Sequence, residues 1–155
     1  MNRAGRDCAQ AGNSIRTLRG TAIVEPATQM VDGVAAVEGL AMVSTENLAF
    51  SLVDPASGIV RQPGHPWHGL SVAGKVLFFP SGKGSSSGSY WLLNLAHEGN
   101  APAAIVNTRT DAVIVAGAVL AGIPLVQAVI PDPFGCVASG DPVRVRPGGI
   151  IEVIQ

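Results

Sequence analysis

One short loop, residues 82–89 (GKGSSSGS), concentrates the side chains of this sequence that are best suited to chemistry. It contains four serine hydroxyls, the Lys83 ammonium and three glycines, and it lies between an apolar run and a helix-like segment. The first turn of a helix presents unpaired backbone N–H groups and a partial positive charge, so a carboxylate or a phosphate binds there readily. The same field lowers the pKa of a hydroxyl group, which is the change that a serine needs to act as a base. The loop therefore predicts an anion site, or a nucleophile or base, at the start of a helix.

Three motifs with defined chemistry resemble parts of this loop. A dinucleotide fingerprint needs its third glycine one residue earlier, and a phosphate-binding P-loop needs Gly-Lys-Ser/Thr where this chain has Gly-Lys-Gly. Residues 84–88 match Gly-x-Ser-x-Gly, the nucleophile elbow of a hydrolase, with Ser86 at the centre. A catalytic triad also needs a later histidine, but the only one is His97, within the same predicted helix. A serine hydrolase is therefore not expected.

The interpretation without chemistry is a helix cap. A serine hydroxyl that accepts a hydrogen bond from the first turn is a common way to begin a helix. Such a cap explains one or two of the serines, but not three consecutive serines between glycines.

Other polar side chains are better explained by structure than by chemistry. His65 and His68 lie in GHPWHG, where the proline favours an extended or turned chain and no carboxylate is nearby. Because a metal site needs three or more ligands, these histidines are predicted to pack a loop together with Trp67. Asp111 is predicted to cap a helix or a turn rather than to act as a catalytic acid.

The composition is that of one folded domain of low charge. Hydrophobic residues make up 47% and charged residues 14%, which excludes disorder for most of the chain and suggests that a partner covers some of the surface. A net charge of −1 without a basic cluster argues against nucleic acid. No apolar run reaches the roughly 18 residues of a membrane span, and no signal peptide is expected. The domain is predicted to cover residues 19–155, after a disordered polar tail at residues 1–18.

The two cysteines, Cys8 and Cys136, are far apart and form no Cys-x-x-Cys pair. This spacing predicts neither a disulfide framework nor a metal site, so both are expected to be free thiols of a cytoplasmic protein. An iron–sulfur cluster needs three or four thiolates. This chain is therefore expected to bind no cluster, metal or other cofactor alone.

Apolar runs and turn signals predict an α+β domain that is rich in strands. The predicted strands lie near residues 21–25, 34–44, 58–61, 74–80, 103–107, 113–116, 124–127, 143–146 and 150–154. The last two form a hairpin around residues 147–149. A helix is predicted over residues 86–99, with Tyr90 and Trp91 in the core or in an interface. Residues 112–122 fit either a helix or a buried strand, so the expected architecture is a compact barrel or sandwich with one or two packed helices.

Residues 74–106 contain the serine loop and a later Asn-Ala-Pro-Ala-Ala segment, and they resemble the swivel-domain small subunit of the aconitase X family. The resemblance extends back through RGTAIVEP, LAFSLVDPASGIV and GHPWHG, and forward through TDAVIVAGAVLAGIPLV. It covers about residues 19–127, or about two-thirds of the chain. The two segments are fairly specific in combination, although neither is specific alone.

The resemblance implies a swivelling β/β/α domain that closes over the active site of a larger subunit, which carries an iron–sulfur cluster. Members of the family eliminate water from a hydroxy acid, and their activities include dehydration of cis-3-hydroxy-L-proline and of mevalonate 5-phosphate. The catalytic serine of the family, directly after Gly-Lys-Gly, falls on Ser85. The residues expected to bind the substrate are Lys83, Gly84, Ser86, Ser87 and Ser89.

One stretch departs from the family pattern. Members usually have Ser-Phe-Trp-Gly-Gly-x-Asp before a DP-x-T/S-G turn, whereas residues 49–54 here read Ala-Phe-Ser-Leu-Val-Asp. Paired glycines allow a backbone to approach a substrate or a partner closely. Their loss bears on which substrate is used more than on activity itself, because the serine loop is intact.

The sequence therefore predicts the small subunit of a hydro-lyase, with Ser85 as general base at the interface with a large aconitase-like subunit. The favoured substrate is cis-3-hydroxy-L-proline, on the strength of the family's bacterial members. The alternative is a non-catalytic regulatory domain that binds a carboxylate or a phosphate at residues 85–89.

Overall fold

The computed structural model describes residues 15–26, 30–31 and 34–154. Its strands are β1 (Ile15–Val24), β2 (Met30–Val31), β3 (Val34–Ala35), β4 (Val37–Val43), β5 (Val76–Phe79), β6 (Ala104–Asn107), β7 (Leu125–Ile130), β8 (Pro142–Arg146) and β9 (Ile150–Ile154). Its α-helices are α1 (Gly88–His97) and α2 (Ala112–Ala121). Short 3-10 turns lie at Phe50–Leu52 and Pro133–Gly135.

Seven strands close into a barrel in the order β1-β7-β6-β5-β4-β8-β9, and β2 pairs with β3 in a separate ribbon. The four strands β4, β5, β6 and β7 are parallel neighbours, and β1, β8 and β9 complete the barrel by antiparallel pairing. The prediction of an α+β barrel with packed helices is thus confirmed. The predicted hairpin near the end of the chain is also confirmed, because β8 pairs with β9.

The apolar run of β5 is explained by burial on both of its faces. Val76 and Phe78 belong to the cluster inside the barrel, whereas Leu77 and Phe79 belong to the cluster that contains the helices. All four side chains are fully buried. A parallel strand covered on both faces needs such a continuous hydrophobic sequence, and its end is therefore a rigid support for the loop that follows.

The two helices connect the parallel strands and pack side by side on one face of the sheet. Leu92 of α1 and Ile114 of α2 are buried in the same cluster. Gly117 of α2 allows the close approach, because a Cβ there would lie 2.7 Å from Leu92 Cδ1 and 3.1 Å from Ser89 Cα. The start of α1 is consequently fixed against α2.

Two of the strand predictions are wrong. Residues 113–116 lie inside α2, where Asp111 caps the first turn and Gly122 ends the helix at φ +68°. The segment 58–61 forms isolated bridges at Ile59 and Val60 and no strand. In both segments tertiary context overrides the strand preference of β-branched residues.

The predicted boundary after residue 18 falls inside β1. This strand begins at Ile15, pairs with β9 from Ile15↔Ile154 onward, and buries Leu18 completely. The ordered barrel thus includes residues 15–18. Residues 1–14 lie outside the described part of the chain.

The prediction of a free thiol at Cys136 is wrong. Its side chain is buried and is engaged in a disulfide bond. Cys8 lies outside the described residues. The prediction of a cytoplasmic location therefore loses the support that it drew from free thiols. Within the described residues, neither helix is long and apolar enough to cross a membrane.

Candidate active site

The candidate site lies where the parallel strands end. Strand β5 leads into the serine loop, residues 82–89, and β6 leads to Asp111 at the start of α2. Loops after the carboxyl ends of parallel strands meet at one edge of the sheet, which is where ligands bind in open α/β sheets. The loop after β4 joins them, because Leu48 accepts a hydrogen bond from Lys83 N at 3.2 Å and donates one to Ser81 O at 3.2 Å.

Ser85 is the serine toward which other donors point. Its Oγ accepts a hydrogen bond from Ser87 N at 3.2 Å and another from Ser87 Oγ at 2.9 Å. Its side chain is exposed at the mouth of α1. Hydrogen bonds donated to an oxygen stabilise its charged form, so this arrangement favours a negative charge on Ser85 Oγ.

The start of α1 is left open by its serines. Ser87 occupies the N-cap position, but its hydroxyl makes no cap bond, since its φ of −67° and ψ of −9° are already helical. Ser89 Oγ reaches Ser86 O only at 3.5 Å, the limit of a hydrogen bond. The expectation of a serine cap is therefore wrong at Ser87. Of the first-turn N–H groups, Gly88 N and Tyr90 N already donate to Ser85 O at 3.1 Å and Ser87 O at 2.9 Å, which leaves Ser89 N to meet an anion.

Two glycines of the loop are required by its shape. Gly84 has φ +88°, a conformation that other residues rarely adopt, and a Cβ there would lie 3.3 Å from Ala49 Cβ. A Cβ on Gly88 would lie 3.1 Å from Val113 Cγ1. These glycines therefore serve the packing of the loop against its neighbours.

A pocket of about 340 Å³ opens beside the loop. It is lined by Leu48, Phe50, Gly82, Lys83, Gly84, Ser85, Gly88, Asp111, Ala112, Val113 and Ile114. Of the predicted site residues it thus brings together Lys83, Gly84 and Ser85. The side chains of Ser86, Ser87 and Ser89 lie outside this lining. The pocket has an apolar wall, one ammonium (Lys83) and one serine hydroxyl (Ser85).

Asp111 caps α2, as predicted from the sequence. Its Oδ1 accepts hydrogen bonds from Val113 N at 2.9 Å and Ile114 N at 3.0 Å. Its Oδ2 accepts a bond from Gly82 N at 2.9 Å, so the same carboxylate also reaches the serine loop. No local pattern in the sequence indicates this second contact.

Gln62 is a supporting residue that sequence reasoning missed. It is buried, its Oε1 accepts from Ala49 N at 2.8 Å, and its Nε2 donates to Asn47 O at 3.2 Å. It thereby fixes the backbone that packs against Gly84. No local pattern marks a glutamine for such a role, because both contacts are made by a separate loop.

The predicted packing with Trp67 is confirmed for His65 but not for His68. His65 is buried, and its ring lies 5.1 Å from that of Trp67, whose backbone N–H donates to His65 Nδ1 at 2.9 Å. His68 is exposed. Within the described residues, no group of three or more His, Cys, Asp or Glu side chains is placed to hold a metal ion.

His65 is expected to make the stability of the protein depend on pH. Burial lowers the pKa of His65 from 6.5, and the Lys83 ammonium acts in the same direction, whereas Glu46 opposes both. The unfolded chain therefore binds a proton more readily than the folded chain. The free energy of unfolding should decrease as the pH falls below the unfolded pKa, and should level off below the folded pKa.

Urea denaturation between about pH 8 and about pH 5 measures this effect. The variant His65→Gln should show a flatter profile, because the titrating ring is gone. An equally steep fall in this variant would show that other groups cause it.

Comparison with known protein sequences supports one family. The family model described as the aconitase X swivel domain matches residues 26–153. The phosphomevalonate dehydratase small subunit of Methanocella arvoryzae is 41% identical over 117 residues, which cover 74% of this chain and 89% of the relative. The same-named protein of Archaeoglobus fulgidus is 44% identical over 120 residues, which cover 76% of this chain and 90% of the relative.

Solved structures agree with the sequence relatives. The crystal structure of Thermococcus kodakaraensis aconitase X in its holo form has a TM-score of 0.79 and 34% identity, and the match covers 90% of this chain and 99% of that chain. A solution NMR structure of a UPF0107 protein has a TM-score of 0.76 and 39% identity, and the match covers 90% and 100% of the two chains.

Proposed function

This chain belongs to the aconitase X family as its swivel domain, and on that premise we propose that Ser85 is the general base of the reaction. The chain is the small subunit of a dehydratase, a hydro-lyase that works with a large aconitase-like subunit, as its relatives' names indicate. The observation that carries the proposal is the pair of hydrogen bonds donated to Ser85 Oγ by Ser87.

Elimination of water from a hydroxy acid needs a base that removes a weakly acidic C–H proton next to the carboxylate. Free serine is too weak for this role, so its alkoxide has to be stabilised. Ser87 supplies two donors to Ser85 Oγ, the open start of α1 supplies a partial positive charge, and Lys83 supplies a nearby ammonium. Ser85 Oγ takes the proton, the electron pair of the C–H bond forms the C=C bond, and the C–O bond breaks with loss of hydroxide.

The substrate carboxylate is expected at the start of α1. The backbone N–H groups of Gly84 and Ser89, with the hydroxyls of Ser86 and Ser89, can receive it. Lys83, exposed on the pocket rim, provides the cation. The base and the carboxylate site then lie next to each other, as removal of a proton from the adjacent carbon requires.

The iron–sulfur cluster that the family implies is proposed for the large subunit. The donors of the pocket here are hydroxyls, backbone N–H groups and an ammonium, with the Asp111 carboxylate already occupied. Such a set does not fit a cluster, which is held by thiolates. Activation of the leaving hydroxyl is accordingly assigned to the partner.

Association with the partner is consistent with the surface near the site. Tyr90, in the first turns of α1, is 70% exposed, and Leu52 of the 3-10 turn beside α1 is 41% exposed. The core alternative for Tyr90 is therefore wrong, and we place it at the subunit interface. Trp91 is partly buried.

We propose a small hydroxy acid as the substrate, and the relatives' names make mevalonate 5-phosphate the first compound to assay. They give no support to the initial preference for cis-3-hydroxy-L-proline. The pocket lining supplies one exposed cation, Lys83, so a second anionic group such as a phosphate needs a cation from outside this lining.

The assembled pair should be assayed against both compounds. Turnover of mevalonate 5-phosphate alone is the expected result. Turnover of cis-3-hydroxy-L-proline alone would reverse the order of the two substrates, and turnover of neither compound would contradict the proposed substrate class.

A further inference from the structure

We propose that Asp111 is a positioning residue that holds the serine loop in its working geometry, beyond its role as the cap of α2. The proposal rests on the proposed function, because the loop matters for the reaction only if Ser85 is the base. Three features carry it: the division of labour between the two carboxylate oxygens, the shape of the chain at Gly82, and the weak anchoring of the rest of the loop.

The two oxygens of Asp111 serve different elements. Oδ1 accepts from Val113 N at 2.9 Å and from Ile114 N at 3.0 Å, which is a complete N-cap. Oδ2 takes no part in the cap. It accepts from Gly82 N at 2.9 Å, at the start of the serine loop, and from Ser81 Oγ at 3.5 Å, directly before the loop.

The backbone of Gly82 lies very close to this carboxylate. A Cβ at this position would meet Asp111 Oδ2, and it would lie 2.9 Å from Ile114 Cδ1. The absence of a side chain lets the backbone N–H approach the carboxylate directly. The hydrogen bond between Gly82 N and Asp111 Oδ2 therefore holds the loop close against α2, between β5 and Ser85.

The loop has few other anchors before Ser85. Lys83 N bonds to Leu48 O at 3.2 Å on the opposite side, and Gly84 turns the chain at φ +88°. Residues 83–86 are exposed. The position of Ser85 Oγ thus depends on the hydrogen bonds of residues 81–83 to Leu48 and Asp111 before it and on the start of α1 after it.

Asp111 is not itself placed to act as a base. Each of its oxygens already accepts two hydrogen bonds from this chain. Donors that surround a carboxylate stabilise its charged form and weaken it as a proton acceptor. Its effect on the reaction is therefore expected through Ser85.

Two variants distinguish the cap of α2 from the hydrogen bond between Gly82 N and Asp111 Oδ2. Asn and Ser are good N-caps, so Asp111→Asn and Asp111→Ser should keep the thermal midpoint near that of the wild type. Asn has a single acceptor oxygen, which cannot serve both α2 and Gly82 from this position, and the serine side chain is too short to reach the loop. In the assembled pair, kcat should fall about 10- to 100-fold in both variants with KM little changed, as expected for a misplaced catalytic group.

Asp132 offers a matched control. Its Oδ1 accepts from Phe134 N at 3.1 Å at the start of another short helical turn, and it makes no hydrogen bond to the serine loop. Asp132→Asn removes the same charge and should leave kcat unchanged.

Amide hydrogen exchange at Gly82, measured by NMR on the full chain, tests the hydrogen bond between Gly82 N and Asp111 Oδ2 independently of catalytic activity. The exchange should be faster in Asp111→Asn and Asp111→Ser than in the wild type, while the amides of β5 and β6 stay protected. If the wild-type pair shows no dehydratase activity, the proposed function fails. The exchange measurement still decides whether the hydrogen bond between Gly82 N and Asp111 exists.

Two results would overturn the proposal. Faster exchange of the Gly82 amide in variants that keep the kcat of the wild type would show that the hydrogen bond from Gly82 to Asp111 is irrelevant to the reaction. A joint fall of kcat and thermal midpoint in both variants would show that Asp111 is only a cap.

Discussion

Replacement of Ser85 with alanine in the assembled enzyme is expected to lower kcat by about 10²–10⁴-fold, the usual contribution of a positioned general base. The reason is that Ser85 Oγ alone in the loop receives two hydrogen bonds from its neighbours, from Ser87 N at 3.2 Å and from Ser87 Oγ at 2.9 Å. Substrate binding and thermal stability should survive nearly unchanged, since the side chain is exposed and supports no packing. Steady-state kinetics with thermal unfolding of the same preparation measures all three quantities.

Ser86→Ala is the matched comparison for this variant. Ser86 is the next residue in the same exposed loop, and its contact with Ser89 is made by its backbone oxygen, which accepts from Ser89 Oγ. Its loss should cost far less than the loss of Ser85. If Ser86→Ala abolishes turnover while Ser85→Ala retains it, the assignment within the loop is wrong, and normal turnover in both would reduce the loop to a structural element.

Separated from a large subunit, this chain is expected to turn over little or no substrate, and with it to form a stable complex. The described pocket offers the Ser85 hydroxyl, the Lys83 ammonium and the start of α1, but the described residues include no group of side chains that could hold a metal ion to activate a leaving hydroxyl. Its exposed Tyr90 and Leu52 lie near the same site. Activity assays of the chain alone and of the mixture, with light scattering to determine the mass of the complex, test this expectation.

Purification from the native host provides the second arm of that test. A large aconitase-like chain should accompany the small one. A lone monomer that finds no large partner at any concentration would instead favour the regulatory alternative, in which residues 85–89 bind a carboxylate or a phosphate without catalysis.

The serine loop and its supports were largely predictable because their signals are local. The run of β5 ends at a proline, the glycines follow, and the helix begins where the apolar spacing changes. The hydroxyl contacts were not predictable, because they depend on backbone angles. Ser87 already has a helical φ of −67°, so its hydroxyl turns to Ser85 and leaves the helix uncapped.

The ends of β1 and α2 show what local patterns miss. Leu18 lies in a polar segment and is buried only because β1 pairs with β9, which is distant in sequence. Residues 113–116 are rich in valine and isoleucine, yet Asp111 at one end and Gly122 at the other define a helix. In the helix, the buried residues are Ile114, Gly117 and Ala118, which follow the spacing i, i+3, i+4. This helical spacing is recognisable when the cap residues are given more weight than the high content of β-branched residues.

The contacts of Asp111 and Gln62 were the least predictable from the sequence. Both residues bond to backbone atoms of loops that are remote along the chain: Asp111 to Gly82, and Gln62 to Ala49 and Asn47. A cap can be predicted from the residues around it, but a second partner for the same carboxylate requires the assembled barrel.

The central claim is that Ser85 Oγ removes the proton, and the kinetic isotope effect on C–H cleavage tests it most directly. The substrate is deuterated at the carbon that loses the proton, and kcat is compared with that of unlabelled substrate for the wild-type pair and for Ser85→Ala. If Ser85 is the base, its loss slows proton removal in particular, so the isotope effect on the residual rate should be at least as large in the variant as in the wild type. An isotope effect that becomes smaller while kcat falls would show that Ser85 acts in another step, and would contradict the account.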